Sequence, residues 1–168
     1  MQKLAHVLPM PKHVVKVCTW GGISRLGPTD IAIMAEGTRI NSRVYQQILQ
    51  ECYLPWAKDT FGDMGVLVQD NAPAHTARFT RERLENWGVK VEDWPPESPD
   101  LNPVEMTWGH LKDTLKRLNK PHDKQSLVDA IRLFWDTHVT RIRCNRWIDR
   151  MFRVMDEVEK IDGRPYHD

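Results

Sequence analysis

Apolar positions change their period along the chain, and the changes mark the elements. Residues 14–20 form a β-branched run that ends at Gly21-Gly22, which predicts a strand and a turn. A second short apolar run, 31–34, follows the Gly27-Pro28 turn, so the two runs are expected to pair as a hairpin. Asn41 or Ser42 can cap a helix in which Val44, Tyr45, Ile48, Leu49 and Cys52 fall at helical spacing. Pro55 is expected to kink or end it. The run GVLVQ, 65–69, has the pattern of a buried strand and stops at Asp70-Asn71. A helix over 76–87 follows, with Phe79, Leu84 and Trp87 as apolar positions and Gly88 closing it. Residues 89–94 alternate as a strand. A Pro-rich loop over 95–103 then gives way to helices over 103–118, 125–138 and 140–160.

Strand, strand, helix, strand, helix, strand and three helices is the order of an α/β layer architecture, a mixed sheet flanked by helices. Only four strands are legible, so the expectation is a short edge strand or a first strand missing upstream. The 168 residues suit one domain, with an arm over 1–13, a core over 14–162 and a tail over 163–168. No apolar run approaches the roughly 18 residues a membrane span needs, so no membrane partner is expected. His6, Pro9 and Pro11 interrupt the first residues and make a poor signal peptide, which points to an intracellular protein. Cys18, Cys52 and Cys144 are far apart, odd in number and without metal spacing, so they read as free thiols.

A net charge of +1 argues neither for nor against a nucleic-acid partner. Distribution says more. Between Arg141 and Arg153 stand five arginines (141, 143, 146, 150 and 153) against one acid, Asp149. Arg143, Arg146, Arg150 and Arg153 recur at helical spacing and share one face, with Trp147, Ile148, Met151 and Val154 on the other. That face reads either as a phosphate contact or as an ordinary solvated face. Lys112, Lys116, Arg117 and Lys120 carry the same two readings.

Two acids sit where chemistry would want them. Asp70 follows the GVLVQ strand, at the carboxyl end where open α/β sheets bind ligands. Glu105 falls on the first turn of a helix after SPDLNP. Two such carboxylates suit a hard divalent cation. Each has a plainer role as well. Asp70 can order the turn before Pro73. Glu105 can complete a capping box with Asn102, behind Pro103 at the first helical position.

The strings around these acids narrow the choice. VLVQDNAPAHTA (66–77) and DWPPESPDLNPVEMTWGHLK (93–112), with 34 residues (71–104) between the acids, resemble the mariner superfamily of transposases, in the branch with an Asp-Asp-Glu triad. CTWGGIS (18–24) resembles the strand that precedes the second acid of that family. The resemblance runs over nearly the whole chain. It implies an RNase H-like, retroviral-integrase-like fold and a metal-dependent nucleotidyl transferase that cuts and joins double-stranded DNA, at transposon ends and target, in the nucleus. On that reading Asp70 and Glu105 are the second and third catalytic acids and bind Mg²⁺ or Mn²⁺. Asn71 and His75 lie beside the metal or the DNA end, and assembly is as a homodimer. Asp100 reads as a loop-ordering side chain, and Pro96 to Pro99 as shaping the approach to Glu105.

One part of the family's pattern is missing. Its first aspartate lies on the first strand, upstream of the Trp-Gly-Gly element, yet no Asp or Glu precedes Asp30 here. Asp30 reads as a turn or surface residue. The helix-turn-helix pair with which such transposases recognise their terminal repeats is also absent. Two readings therefore stand: a transposase core, and a non-catalytic DNA-binding or assembly module derived from one.

Overall fold

The computed structural model describes residues 15–35, 37–92, 102–117, 121 and 123–160, the side chains of 157–160 excepted. The arm, the tail, Asp100, Lys120 and the 96–99 segment lie outside them. The order is β1 (Thr19–Trp20), β2 (Ile23–Ser24), β3 (Gly27–Pro28), β4 (Ala32–Ile33), α1 (Ser42–Ile48), a π-helical turn (Leu49–Tyr53), α2 (Leu54–Phe61), β5 (Val66–Leu67), α3 (Pro73–Thr76), α4 (Arg78–Asn86), β6 (Lys90–Val91), α5 (Pro103–Arg117), α6 (Lys124–His138) and α7 (Arg141–Lys160).

The expected hairpin forms, but in two short pieces. β1 pairs antiparallel with β4, Thr19 opposite Ile33, and β2 with β3, Ser24 opposite Gly27. Gly21 lies between the pieces for a steric reason. A Cβ there would stand 2.4 Å from the Trp135 ring, whose indole N–H donates to the Thr29 carbonyl at 2.8 Å. Gly22 N–H donates to the Thr29 hydroxyl at 2.9 Å. Arg25, at the hairpin tip, reaches α7 and bonds Asp149 and Asn145.

Asn41 caps α1 as expected, its side chain accepting from Arg43 and Val44 N–H. Pro55 does not end the helix. It has no N–H to donate and would interrupt an α ladder. The preceding turn instead widens to the π pattern, Leu54 N–H bonding Leu49 O, and Pro55 enters the first turn of α2, where its missing donor costs little.

The strand after α2 needs a correction. Leu67 is buried, but Val66 and Val68 are 48% and 46% exposed, so this is not a strand buried on both faces. Its ladder is short because it pairs, in parallel, with β6 alone among the described residues. The helix expected over 76–87 breaks at Ala77, which adopts extended angles between α3 and α4, and Phe79 faces outward. Gly88, at φ 69°, closes α4.

Two cores result. One gathers Leu111, Ile131, Phe134, Trp135, Val139, Cys144 and Trp147 between α5, α6, α7 and the hairpin pieces. The other gathers Tyr45, Leu49, Tyr53, Ala57, Leu67 and Leu84 between α1, α2, α4 and the parallel pair. All three cysteines are free. Among the described residues no helix is long and apolar enough to cross a membrane.

Candidate active site

Asp70 lies in the loop between β5 and α3 and is held from several directions. Its Oδ1 accepts the Ala72 N–H at 3.0 Å, which is the turn-ordering role. The same oxygen stands 2.7 Å from His75 Nδ1, with the Asp70 side chain still 52% exposed. An ionised Asp70 can only accept, so Nδ1 carries the proton in this pair. His75 is carried by α3, and its ring lies over Tyr45, centroids 4.1 Å apart.

Tyr45 anchors the arrangement. It is buried on α1 and donates its hydroxyl to Gln69 Oε1 at 2.5 Å. Burial, and then the negative charge of Asp70, raise its pKa well above the ordinary tyrosine range, so it remains a donor. Two further bonds tie the helices around it. Buried Gln46 donates to the Phe79 carbonyl at 2.9 Å, and Thr80 to the Ala74 carbonyl at 2.7 Å.

Asp70, Asn71 and His75 open on a cavity of about 340 Å³, joined by Arg81, Glu85 and Glu92. Tyr45, Gln69, Arg81 and Glu92 were not candidates from the sequence. Glu92 could have been one: strands read at 65–69 and 89–94, once paired in parallel, bring their carboxyl ends to the same side. Its N–H donates to the Leu67 carbonyl at 3.0 Å.

Glu105 is not part of that cavity lining. It stands exposed on the first turn of α5, where the helix dipole favours an acid. Asn102 opens this helix, its side chain accepting from Val104 N–H at 3.2 Å and its carbonyl from Glu105 N–H at 3.0 Å. Asn102 thus caps the helix through Val104, but among the described residues neither bond of a capping box with Glu105 forms, and the Glu105 carboxylate faces solvent.

The donors are of the right kind for Mg²⁺ or Mn²⁺, hard oxygens that need no soft ligand. Their number is not. No group of three His, Cys, Asp or Glu side chains able to hold a metal occurs among the described residues. Two acids on separate elements do not by themselves make a two-metal centre.

The arginines expected to contact DNA do share a face. Arg143, Arg146, Arg150 and Arg153 line one groove, which also takes in Arg117 of α5. Lys112 and Lys116 do not line it. They stand seven and eleven residues after Glu105, on its side of α5, and Lys116 pairs with Asp113 at 3.2 Å.

These features meet in one class of protein. The model of the DDE superfamily endonucleases matches residues 10–128, and the chain belongs to that family. Within it, the chain is similar to transposases of transposable elements and to the catalytic domain of the Mos1 mariner transposase. It is 36% identical over 92 residues to the transposable element Tcb2 transposase of Caenorhabditis briggsae, an overlap covering 55% of this chain and 33% of that one. The RNase H-like fold is shared with the Mos1 transposase paired-end complex with left transposon end, at TM-score 0.75 and 21% identity, over 98% of this chain and 49% of that one. The Mos1 mariner paired end complex with Mn gives TM-score 0.69 at 21% identity, over 98% and 49%. The chain thus spans a third to a half of the length of these proteins.

Proposed function

We propose that this chain is the catalytic core of a nuclear DNA transposase, acting on double-stranded transposon ends and target DNA as a homodimer with Mg²⁺ or Mn²⁺. Asp70 and Glu105 are two of its three metal-binding acids. The observation that carries this is the way Asp70 is held. One oxygen is fixed by Ala72 N–H and His75, His75 packs tilted against buried Tyr45, and the side chain is left half exposed on the cavity. Such orientation of a ligating carboxylate by outer hydrogen bonds is what metal sites require. When bound, the cation would lower the pKa of water or a 3′-hydroxyl and balance charge on the leaving oxygen. The chain's own residues orient the acids: His75 and Ala72 set Asp70, and the first turn of α5 sets Glu105. Asn71 lines the same cavity, within reach of a DNA end.

The second reading, a non-catalytic DNA-binding or assembly module, is favoured by the lack of any group of three His, Cys, Asp or Glu side chains able to hold a metal among the described residues. Nicking of a supercoiled plasmid with Mn²⁺ separates the two. Under the first reading Asp70→Ala and Glu105→Ala each lose at least about a hundredfold in rate. Equal nicking by all three proteins, or none by the parent chain, removes the catalytic assignment.

A further inference from the structure

The arginine-lined groove is larger than the sequence spacing suggests and lies apart from Asp70. It is a cavity of about 680 Å³ at the junction of α5, α6 and α7. Arg143, Arg146 and Arg153 enter it from α7, Arg117 and His110 from α5, and His138 from α6, and among the described residues no Asp or Glu lines it. Aromatic side chains line it beneath the arginines. Phe134 and Trp147 are buried, His138 stacks on Phe134 with centroids 5.1 Å apart, and His110 lies 5.5 Å from Trp147. Among the described residues no carboxylate makes a salt bridge to Arg143, Arg146 or Arg153.

The acids nearby are directed elsewhere. Asp149 on α7 bonds Arg25 of the hairpin, and Asp113 on α5 holds Lys116. This helix therefore keeps one polar flank clasped to the hairpin, while on the other Arg143, Arg146 and Arg153 have no salt bridge among the described residues. On α5, His110 stands five residues from Glu105, roughly 140° around the helix. The groove and the catalytic acid thus occupy different faces.

We propose that this groove binds the sugar–phosphate backbone of duplex DNA, as a second contact separate from the Asp70 site. It rests on the DNA partner of the reading above and not on its chemistry. The Arg143–Arg153 stripe is about 15 Å long. That is the axial span of roughly four phosphates of one strand. Arg143, Arg146 and Arg153 offer charge to phosphates, so contact is to the backbone and independent of sequence.

The test is fluorescence anisotropy of the full chain with a mixed-sequence duplex, from 50 to 200 mM salt. The combined variant Arg143→Ala, Arg146→Ala, Arg153→Ala is expected to flatten the plot of log K against log salt by about 2.7 and to bind on the order of a hundredfold more weakly at 0.15 M salt. The matching Lys variants keep the charge and should bind like the parent. Asp70→Ala and Glu105→Ala should lose nicking and keep binding, which separates failure of this groove from failure of the catalytic reading. Circular dichroism checks folding. If the triple variant does not fold, exposed Arg153→Ala alone should lower the slope by about 0.9. An unchanged slope overturns the proposal, as does competition by polyglutamate or single-stranded RNA as effective as by duplex DNA.

Discussion

The two cores close their strands differently. On the hairpin side, two antiparallel pairs fold over Trp135 and α7. Gly21 presses backbone on the indole, and Arg25 clasps Asp149. On the Asp70 side, one parallel pair remains, with Val66 and Val68 about half exposed and Val91 41% exposed. Parallel strands are normally covered on both faces. The better-covered strands thus belong to the other core, and beside Asp70 the strand pair is half exposed. Its position is set from the helix side, through Tyr45 and His75.

The sharpest way to break this contrast is Trp135→Ala. It empties the centre of the hairpin core and removes the bond to Thr29, and should cost about 3–5 kcal/mol in urea unfolding. Val66→Ala in the parallel pair should cost less than about 1 kcal/mol. Equal losses would mean that the two sides are alike. Next comes Gly21→Ala, whose Cβ has no room against Trp135 and should cost about 1–3 kcal/mol by the same measurement.

Alkaline pH offers a milder separation. Burial pushes the Cys144 thiol of the hairpin core up to about 11, from an ordinary 9.0. A raised folded value means that the native state holds its proton more tightly. The stabilisation is therefore complete below pH 9 and is lost as pH rises towards 11. Tyr45, in the other core, is also raised, but from 10.0, so its loss begins later. Stability measured from pH 8 to 11 should fall first through the two raised thiols, buried Cys144 and half-buried Cys52, and Cys144→Ala should flatten that part of the curve while Tyr45→Phe should not. The smallest effect is expected for Arg25→Ala. Arg25 and Asp149 are each about half exposed, so the change should stay under about 1 kcal/mol and shrink further in high salt.

Much of this layout was legible in the pattern, and the parts that were not share a cause. Asn41 as a cap, the closure at Gly88 and the arginine stripe of α7 are local features, each decided within a turn or two of chain. Asp70 and Glu105 were legible as motif positions. The groove was not, because His110, Arg117 and His138 come from two other helices. Glu92 beside Asp70 depends on parallel pairing across 23 residues of chain (68–90). The GVLVQ run was overread as buried because its apolar side chains say nothing about how many neighbours the strand has. The break at Ala77 has no counterpart in the residue types around it.

The π turn between α1 and α2 has a consequence for chain length. Tyr45, Leu49, Tyr53 and Ala57, all buried in one core, recur every four residues. In a regular α-helix a four-residue repeat drifts by about 40° per step, or about 120° from Tyr45 to Ala57. The wider turn at Leu49–Tyr53 takes up part of that drift and keeps the four side chains facing one core. The helix tolerates changes of side chain better than changes of count. Deleting a single residue from this turn would restore α geometry and put Tyr45, and with it His75 and Asp70, out of phase with the far half of the helix.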